Sequence, residues 1–210
     1  MARQSTLNFA RSGAHGAGRS RVSWKHHQLA NDISSRFHTV LFGVAGEFTA
    51  STQIAAFDLD GTLIRPKSGL KFPRNAADWS LLRRDTKERL NTLIQTGYAI
   101  VIISNQNYSG RPAKLEEWQV KMGAIAERLH DVPFICIAAT TKDENRKPDT
   151  GMWGCLQAYF ESLGCVRPDT KESFFVGDAA GRRGDHSADD KNFAKNAELR
   201  FYTPEEYFDA

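Results

Sequence analysis

The sequence predicts an α/β fold, a parallel sheet with helices on both faces. Three observations predict it. Short apolar runs alternate with longer amphipathic segments, the pattern of strand, helix, strand in a layered fold. Two of the runs, Tyr98–Ser104 and Phe134–Ala139, are almost wholly apolar, as strands covered on both faces are. Finally, Asp58–Asp60, Ser104–Asn105 and Gly177–Asp178 each follow directly on such a run. Ligands of parallel sheets bind beyond the carboxyl ends of the strands, so these residues are expected at one edge.

The elements follow in order. Residues 1–31 hold Arg3, Arg11, Arg19, Arg21 and Lys25 with no acid before Asp32, and Gly13, Gly16 and Gly18 interrupt any period. This predicts a basic, disordered arm over residues 1–37 and one domain over 38–210. The arm fits a segment following a nucleic-acid backbone, a nuclear address, an acid-free mitochondrial presequence, or a terminus with no role. Thr39–Val44 reads as a short strand and Ile54–Leu59 as a stronger one. Asp85–Thr96 is helical, with Leu90, Leu93 and Ile94 on one face, and Lys114–His130 is a long amphipathic helix. Asp149 is placed to cap a helix running to about Leu163. A strand over Ser173–Val176, a helix over Ala188–Asn196 and a strand over Arg200–Tyr202 follow. Pro204 at the first helical position opens a terminal helix.

The length, 210 residues, suffices for a core without disulfides or structural metal. Cys136, Cys155 and Cys165 are odd in number and form no C-x-x-C pair, which predicts a reducing compartment and three packed thiols. No apolar run approaches the ~20 residues that cross a bilayer, and no signal-peptide core is visible, so an intracellular protein without a membrane span is expected. A net charge of +3 says little about partners.

The chemistry centres on Asp58-Leu59-Asp60-Gly61-Thr62. Residues two apart on a strand face the same side, so Asp58 and Asp60 leave the sheet edge together, and Gly61 lets the chain turn away. Close carboxylates repel, and a hard divalent cation with a preference for oxygen relieves them. A turn after a strand also favours Asp and Gly, so the motif alone is compatible with a plain turn.

The same residues resemble the first motif of the haloacid dehalogenase superfamily, and the other motifs follow in order. Ser104-Asn105 looks like its phosphate-binding segment, Lys147 in Arg146-Lys147-Pro148-Asp149 like its lysine, and Gly177-Asp178 with Asp189 and Asp190 like its acidic fourth motif. More narrowly, Ile103-Ser104-Asn105-Gln106, Thr150-Gly151-Met152-Trp153 and Gly177-Asp178-Ala179-Ala180-Gly181-Arg182 resemble the phosphatase domain of polynucleotide kinase 3'-phosphatases. The resemblance runs from about Leu41 to Phe208. It implies a Rossmann-like parallel sheet sandwiched by helices, Mg2+ as cofactor, and DNA with 3'-phosphate termini as substrate and partner. It also implies hydrolysis through an aspartyl-phosphate in a DNA repair enzyme; a nuclear protein is expected, or alternatively a mitochondrial one from the basic, acid-free N-terminus. The family's kinase half needs a P-loop, and no G-x-x-x-x-G-K-[ST] occurs here, so a phosphatase-only member is expected.

On this reading Asp58 is the nucleophile and Asp60 the acid and base. Thr62, Ser104, Asn105 and Lys147 are expected on the phosphate. Asp58, Asp178 and the Asp60 carbonyl are expected on the metal, supported by Asp190 in preference to Asp189. Arg65, Lys67, Lys71 and Arg74 with Phe72 are expected on a minimal flap, with Arg111, Arg182 and Arg183 in loops at the same edge. Basic groups interleaved with an aromatic suit a nucleic-acid strand. No insertion large enough for a cap domain is visible. The six histidines show no ligand spacing and read as surface or packing residues, and a monomer is expected. Two other readings fit fewer residues: a small-molecule phosphatase of the histidinol-phosphate or sugar-phosphate type, and a DNA-break binding module without catalysis.

Overall fold

The most apolar sequences form the middle of the sheet. The computed structural model describes residues 22–209 except 72 and 109. In chain order the elements are β1 (Val22–Trp24), a helical turn α1 (His26–Gln28), β2 (Val40–Ala45), β3 (Ile54–Phe57), β4 (Ile64–Arg65), β5 (Ser80–Leu81) and α2 (Thr86–Gln95). They continue with β6 (Ala99–Asn105), α3 (Pro112–Arg128), β7 (Phe134–Ala139), α4 (Gly151–Ser162), β8 (Phe174–Val176), α5 (Asp189–Asn196), β9 (Arg200–Tyr202) and α6 (Pro204–Phe208). Seven strands form one sheet in the order β1-β2-β7-β6-β3-β8-β9, and β4 pairs with β5 as a separate hairpin.

From β7 to β9 every pairing is parallel, as expected. The other edge departs from expectation, because β2 runs antiparallel to β7 and β1 antiparallel to β2. The sheet is therefore mixed. Successive strand residues point to opposite faces, and both faces are covered. On one, Ile100, Ile102 and Phe134 pack with Leu90 of α2, Trp118, Met122 and Ile125 of α3, and Phe208 of α6. On the other, Val101, Ile103 and Ile135 pack with Met152, Leu156 and Phe160 of α4 and Phe193 of α5. That two-sided burial is why these strands carry no alternation of polar residues.

The expected boundary at residue 38 moves. Val22, Ser23 and Trp24 pair with Ala45, Val44 and Gly43, and a Cβ on Gly43 would stand 2.6 Å from Val22 and 2.8 Å from the Trp24 ring. The Trp24 ring lies 5.8 Å from that of Trp118 on α3, and Leu29 and Phe37 are buried in the α4 face. Residues 22–37 thus belong to the domain. Arg3, Arg11, Arg19 and Arg21, to which the arm's roles were attached, lie outside the described residues. Asp149 does not cap α4: the N-cap is Thr150, and no side chain bonds there. Cys136 and Cys155 are buried free thiols, as expected, and burial pushes each up to about 12. No helix among the described residues is long and apolar enough to cross a membrane.

Candidate active site

Asp58 follows β3, and its N–H donates to the Val176 carbonyl at 2.8 Å, so the ladder with β8 runs one step past the strand. The chain then turns sharply. Gly61 has φ +93°, and its N–H donates to the Ile64 carbonyl at 2.8 Å. Two glycines are required here for space. A Cβ on Gly61 would stand 2.5 Å from Asp178 Oδ2, and one on Gly177 would collide with the Asp190 carboxylate. Their absent side chains let Asp178, after β8, and Asp190, in the first turn of α5, close on Asp58.

Lys147 ties this cluster together. Its ammonium lies 2.7 Å from Asp58 Oδ1, 2.7 Å from Asp190 Oδ1 and 2.9 Å from the Ile103 carbonyl, so all three protons have acceptors. Asp190 Oδ2 accepts from the Ala179 N–H at 3.0 Å. Of the two acids, Asp190 is thus the buried one in contact with Lys147, and Asp189 is half-buried and lines the opening. Asp58, Asp178 and Asp190 each offer a carboxylate oxygen within 4.8 Å of the others. Burial raises Asp58 well above the usual carboxylate range; Lys147 opposes this, and Asp190 and Asp178 add to it. Burial and then Asp190 raise Asp178 too. For Lys147 burial works against the charge, but Asp190 and Asp58 outweigh it and hold the ammonium protonated. One lysine does not neutralise three carboxylates. The crowded, oxygen-only set fits a hard divalent cation, with Asp58 and Asp178 as the ligands that Lys147 and the backbone leave least engaged.

The expected phosphate residues divide. Ser104 is buried at the end of β6 and lines the cleft floor with Lys147. Asn105 faces the backbone instead. Its Nδ2 donates to the Lys147 carbonyl at 2.9 Å, and its Oδ1 accepts the Lys147 N–H at 2.9 Å. That reciprocal pair clamps the lysine's loop to β6 and leaves the second Nδ2 N–H of Asn105, which also lines the cleft. Thr62 is wholly buried, its hydroxyl lacks a hydrogen-bond partner among the described residues, and it does not line the cleft.

Above these residues lies a cleft of about 620 Å³ between the β4–β5 hairpin and α3. The hairpin is the expected flap, organised by Asp78, which accepts from the Ser68 N–H at 2.8 Å, the Ser68 hydroxyl at 2.7 Å and the Arg74 N–H at 2.9 Å. Of the expected nucleic-acid contacts only Lys71 lines the cleft; Arg65, Lys67, Arg74, Arg111, Arg182 and Arg183 do not. Lys67 sits over the Trp79 ring, Arg111 donates to the Asn107 carbonyl, and Arg182 is paired with Asp185 and Glu205. Phe72 lies outside the described residues. A second cavity, about 470 Å³, opens at the opposite edge of the sheet near Phe48, Gly97 and Val166, with no carboxylate or cation in its lining.

The family model described as polynucleotide kinase 3 phosphatase matches residues 53–208. The chain belongs to this family. A bifunctional polynucleotide phosphatase/kinase of Schizosaccharomyces pombe is 43% identical over 78% of this chain and 39% of its own length. The polynucleotide 3'-phosphatase ZDP of Arabidopsis thaliana is 36% identical over 82% of this chain and 26% of its own. The chain thus spans well under half of either relative. The polynucleotide 3'-phosphatase of Saccharomyces cerevisiae is 26% identical over 74% of this chain and 87% of its own. Among solved structures, a candidate HAD-like phosphatase of Mesorhizobium loti superposes with a TM-score of 0.56 at 22% identity, over 77% of each chain. A D,D-heptose 1,7-bisphosphate phosphatase of B. bronchiseptica, complexed with magnesium and phosphate, gives 0.50 at 18% identity, over 72% of this chain and 79% of that one. These two likenesses bear on the fold, which is the HAD-like α/β fold expected.

The family's segment begins at residue 53, so β1 and β2 stand outside it. Within it, one wall of the cleft was not anticipated from the sequence. Lys114, Glu117, Trp118 and Lys121 of α3 all line it, as do Gln106, Tyr108 and Arg146. A signal was present, since residues three, four and seven apart share a helix face, and these four do so.

Proposed function

We propose that this protein is a magnesium-dependent DNA 3'-phosphatase, which converts a 3'-phosphate at a strand end to a 3'-hydroxyl and has no 5'-kinase activity of its own. The observation that carries the reading is the match to the polynucleotide kinase 3 phosphatase family over residues 53–208, centred on the Asp58 cluster. The names of the fission yeast, Arabidopsis and budding yeast relatives point the same way. The cleft suits a macromolecular end, with Lys71, Lys114, Lys121 and Arg146 in its lining beside the carboxylates that would hold the cation. Nuclear residence fits a substrate of this kind, with mitochondria as the alternative.

In the proposed reaction a carboxylate oxygen of Asp58 attacks phosphorus, and the bond from phosphorus to the 3'-oxygen breaks. Asp60 gives its proton to that oxygen, so a neutral hydroxyl leaves. Water then attacks the phosphorus of the aspartyl-phosphate, Asp60 takes its proton, and inorganic phosphate leaves with the Asp58 carboxylate restored. Ser104 holds a phosphate oxygen, and the Lys147 ammonium, its three protons shared among Asp58, Asp190 and the Ile103 carbonyl, offsets by its charge the negative charge spread over the phosphate oxygens in the transition state. Magnesium, held by Asp58, Asp178 and the Asp60 carbonyl, would supply further positive charge at the phosphoryl group. Asp190 fixes Lys147, and Asn105 fixes the loop that carries it.

The test is product analysis. A 3'-phosphorylated oligonucleotide is expected to become extendable by a polymerase and to release one equivalent of phosphate, while a 5'-hydroxyl end offered with ATP stays unphosphorylated. No extension with magnesium present contradicts the proposal, and transfer from ATP contradicts its second half.

A further inference from the structure

Asp58 and Asp60 stand two residues apart, and each has its own buried lysine. Lys147 serves Asp58. Lys121, midway along α3, places its ammonium 3.2 Å from Asp60 Oδ1, with a side chain only 9% exposed beside an Asp60 side chain 45% exposed. A lysine buried this far needs a partner to offset its lost hydration. Along α3 it interrupts the apolar face of Trp118, Met122 and Ile125.

The other oxygen of Asp60 is held as well. Gln106 Nε2 donates to Asp60 Oδ2 at 3.1 Å and to Ser104 Oγ at 2.9 Å. The orientation of that amide is imposed from behind, because the Tyr108 hydroxyl donates to Gln106 Oε1 at 2.7 Å. Burial, and then the nearby Asp60 and Glu117 charges, push the Tyr108 phenol up, so it stays a donor. With its oxygen facing Tyr108, the amide presents both N–H groups to Ser104 and Asp60. Two donors on two oxygens leave the half-exposed Asp60 little rotamer freedom.

We propose that Lys121, together with Gln106, is a positioning residue that aims the Asp60 carboxyl at the leaving-group oxygen. This rests on the reading of Asp60 as the proton donor. A donor must lie within hydrogen-bond reach of the oxygen it protonates, and small misplacements are costly. The cost depends on the leaving group. A sugar alkoxide is strongly basic and needs the proton, whereas a nitrophenolate departs without it. Loss of aim therefore slows alkyl esters more than activated aryl esters.

The experiment measures kcat/KM for phosphate monoesters from nitrophenyl through phenyl to alkyl, with Lys121→Met, Gln106→Leu, Lys121→Arg and Asp60→Asn beside the unaltered protein. This constant covers steps only up to departure of the leaving group, so hydrolysis of the intermediate does not enter. Lys121→Met and Gln106→Leu are each expected to lose at least about tenfold on the alkyl ester, part of the ~10²–10⁴-fold worth of acid catalysis. The loss on the nitrophenyl ester is expected to be several times smaller, and Lys121→Arg is expected to restore much of the difference. A loss equal across the series, or none, overturns the inference, because a packing or phosphate-binding role would not depend on the leaving group. Should Lys121→Met not fold, Gln106→Leu decides by the same criterion. Asp60→Asn separates the two readings. If it does not steepen the dependence, Asp60 is not the donor and the proposed mechanism fails. If it does while the other variants do not, only this inference fails.

Discussion

At the floor of the cleft the Lys147 ammonium is shared between Asp58 and Asp190, at 2.7 Å from each. Asp58→Asn keeps the shape of the side chain while removing the charge that attacks phosphorus on the proposed reading. The variant is expected to fold, shown by an unfolding free energy within about 1 kcal/mol of the unaltered protein's, and to lose more than about 10²-fold in turnover. Retention of more than about a tenth of the activity would mean that Asp58 is not the nucleophile. Asn105→Ala separates clamp from phosphate ligand. Two lost hydrogen bonds predict a cost of about 1–3 kcal/mol in thermal or chemical unfolding, whereas a pure phosphate ligand would raise KM without lowering stability. At this scale the sequence was informative wherever a residue ended a strand, because the topology carries Asp58, Ser104 and Asp178 to one edge. It was less so where the partner decides the role. Nothing in Asn105 itself tells whether its amide meets a phosphate or the backbone of Lys147, and depth on α3, which makes Lys121 a partner of Asp60, is invisible in helical spacing.

Among the elements, β6 and β7 were legible because burial on both faces leaves an unbroken apolar run. The direction of β2 was harder. A parallel crossover needs a dozen or more residues, and residues 46–53 between β2 and β3 contain no helix; that shortfall was the available sign that β2 lies elsewhere, beyond β7. The strand β1 gave no sign at all, since its 3 residues are too few for a period and follow an arginine- and glycine-rich stretch. Deleting residues 1–31 tests its place in the domain. The deletion removes the buried Val22 and Leu29, each worth about 1.5–3 kcal/mol, and the partly buried Trp24. The truncated protein is expected to unfold at a markedly lower denaturant concentration. An unchanged midpoint would show that β1 and the turn after it contribute nothing to stability.

For the molecule as a whole, the cleft is both a cation site and a polyanion site on the proposed reading. Excess chelator is expected to stop turnover without unfolding the protein, and magnesium to restore it, because removing the cation leaves the Asp58, Asp178 and Asp190 carboxylates, within 4.8 Å of one another, facing an anionic substrate with no divalent charge between them. Full activity in chelator would contradict this. The cations around the cleft also predict a salt dependence for oligonucleotides, with a slope of roughly −0.7 per single-strand phosphate contacted, and a shallow one for an ester with one phosphate. The substrate itself is the central claim, and the most direct measurement compares specificity constants at one ionic strength. Phosphate release from a 3'-phosphorylated oligonucleotide is set beside release from histidinol phosphate and sugar phosphates. The kcat/KM for the oligonucleotide is predicted to be higher than for any of the small esters. A higher constant for an amino-alcohol or sugar phosphate would contradict the DNA 3'-phosphatase reading.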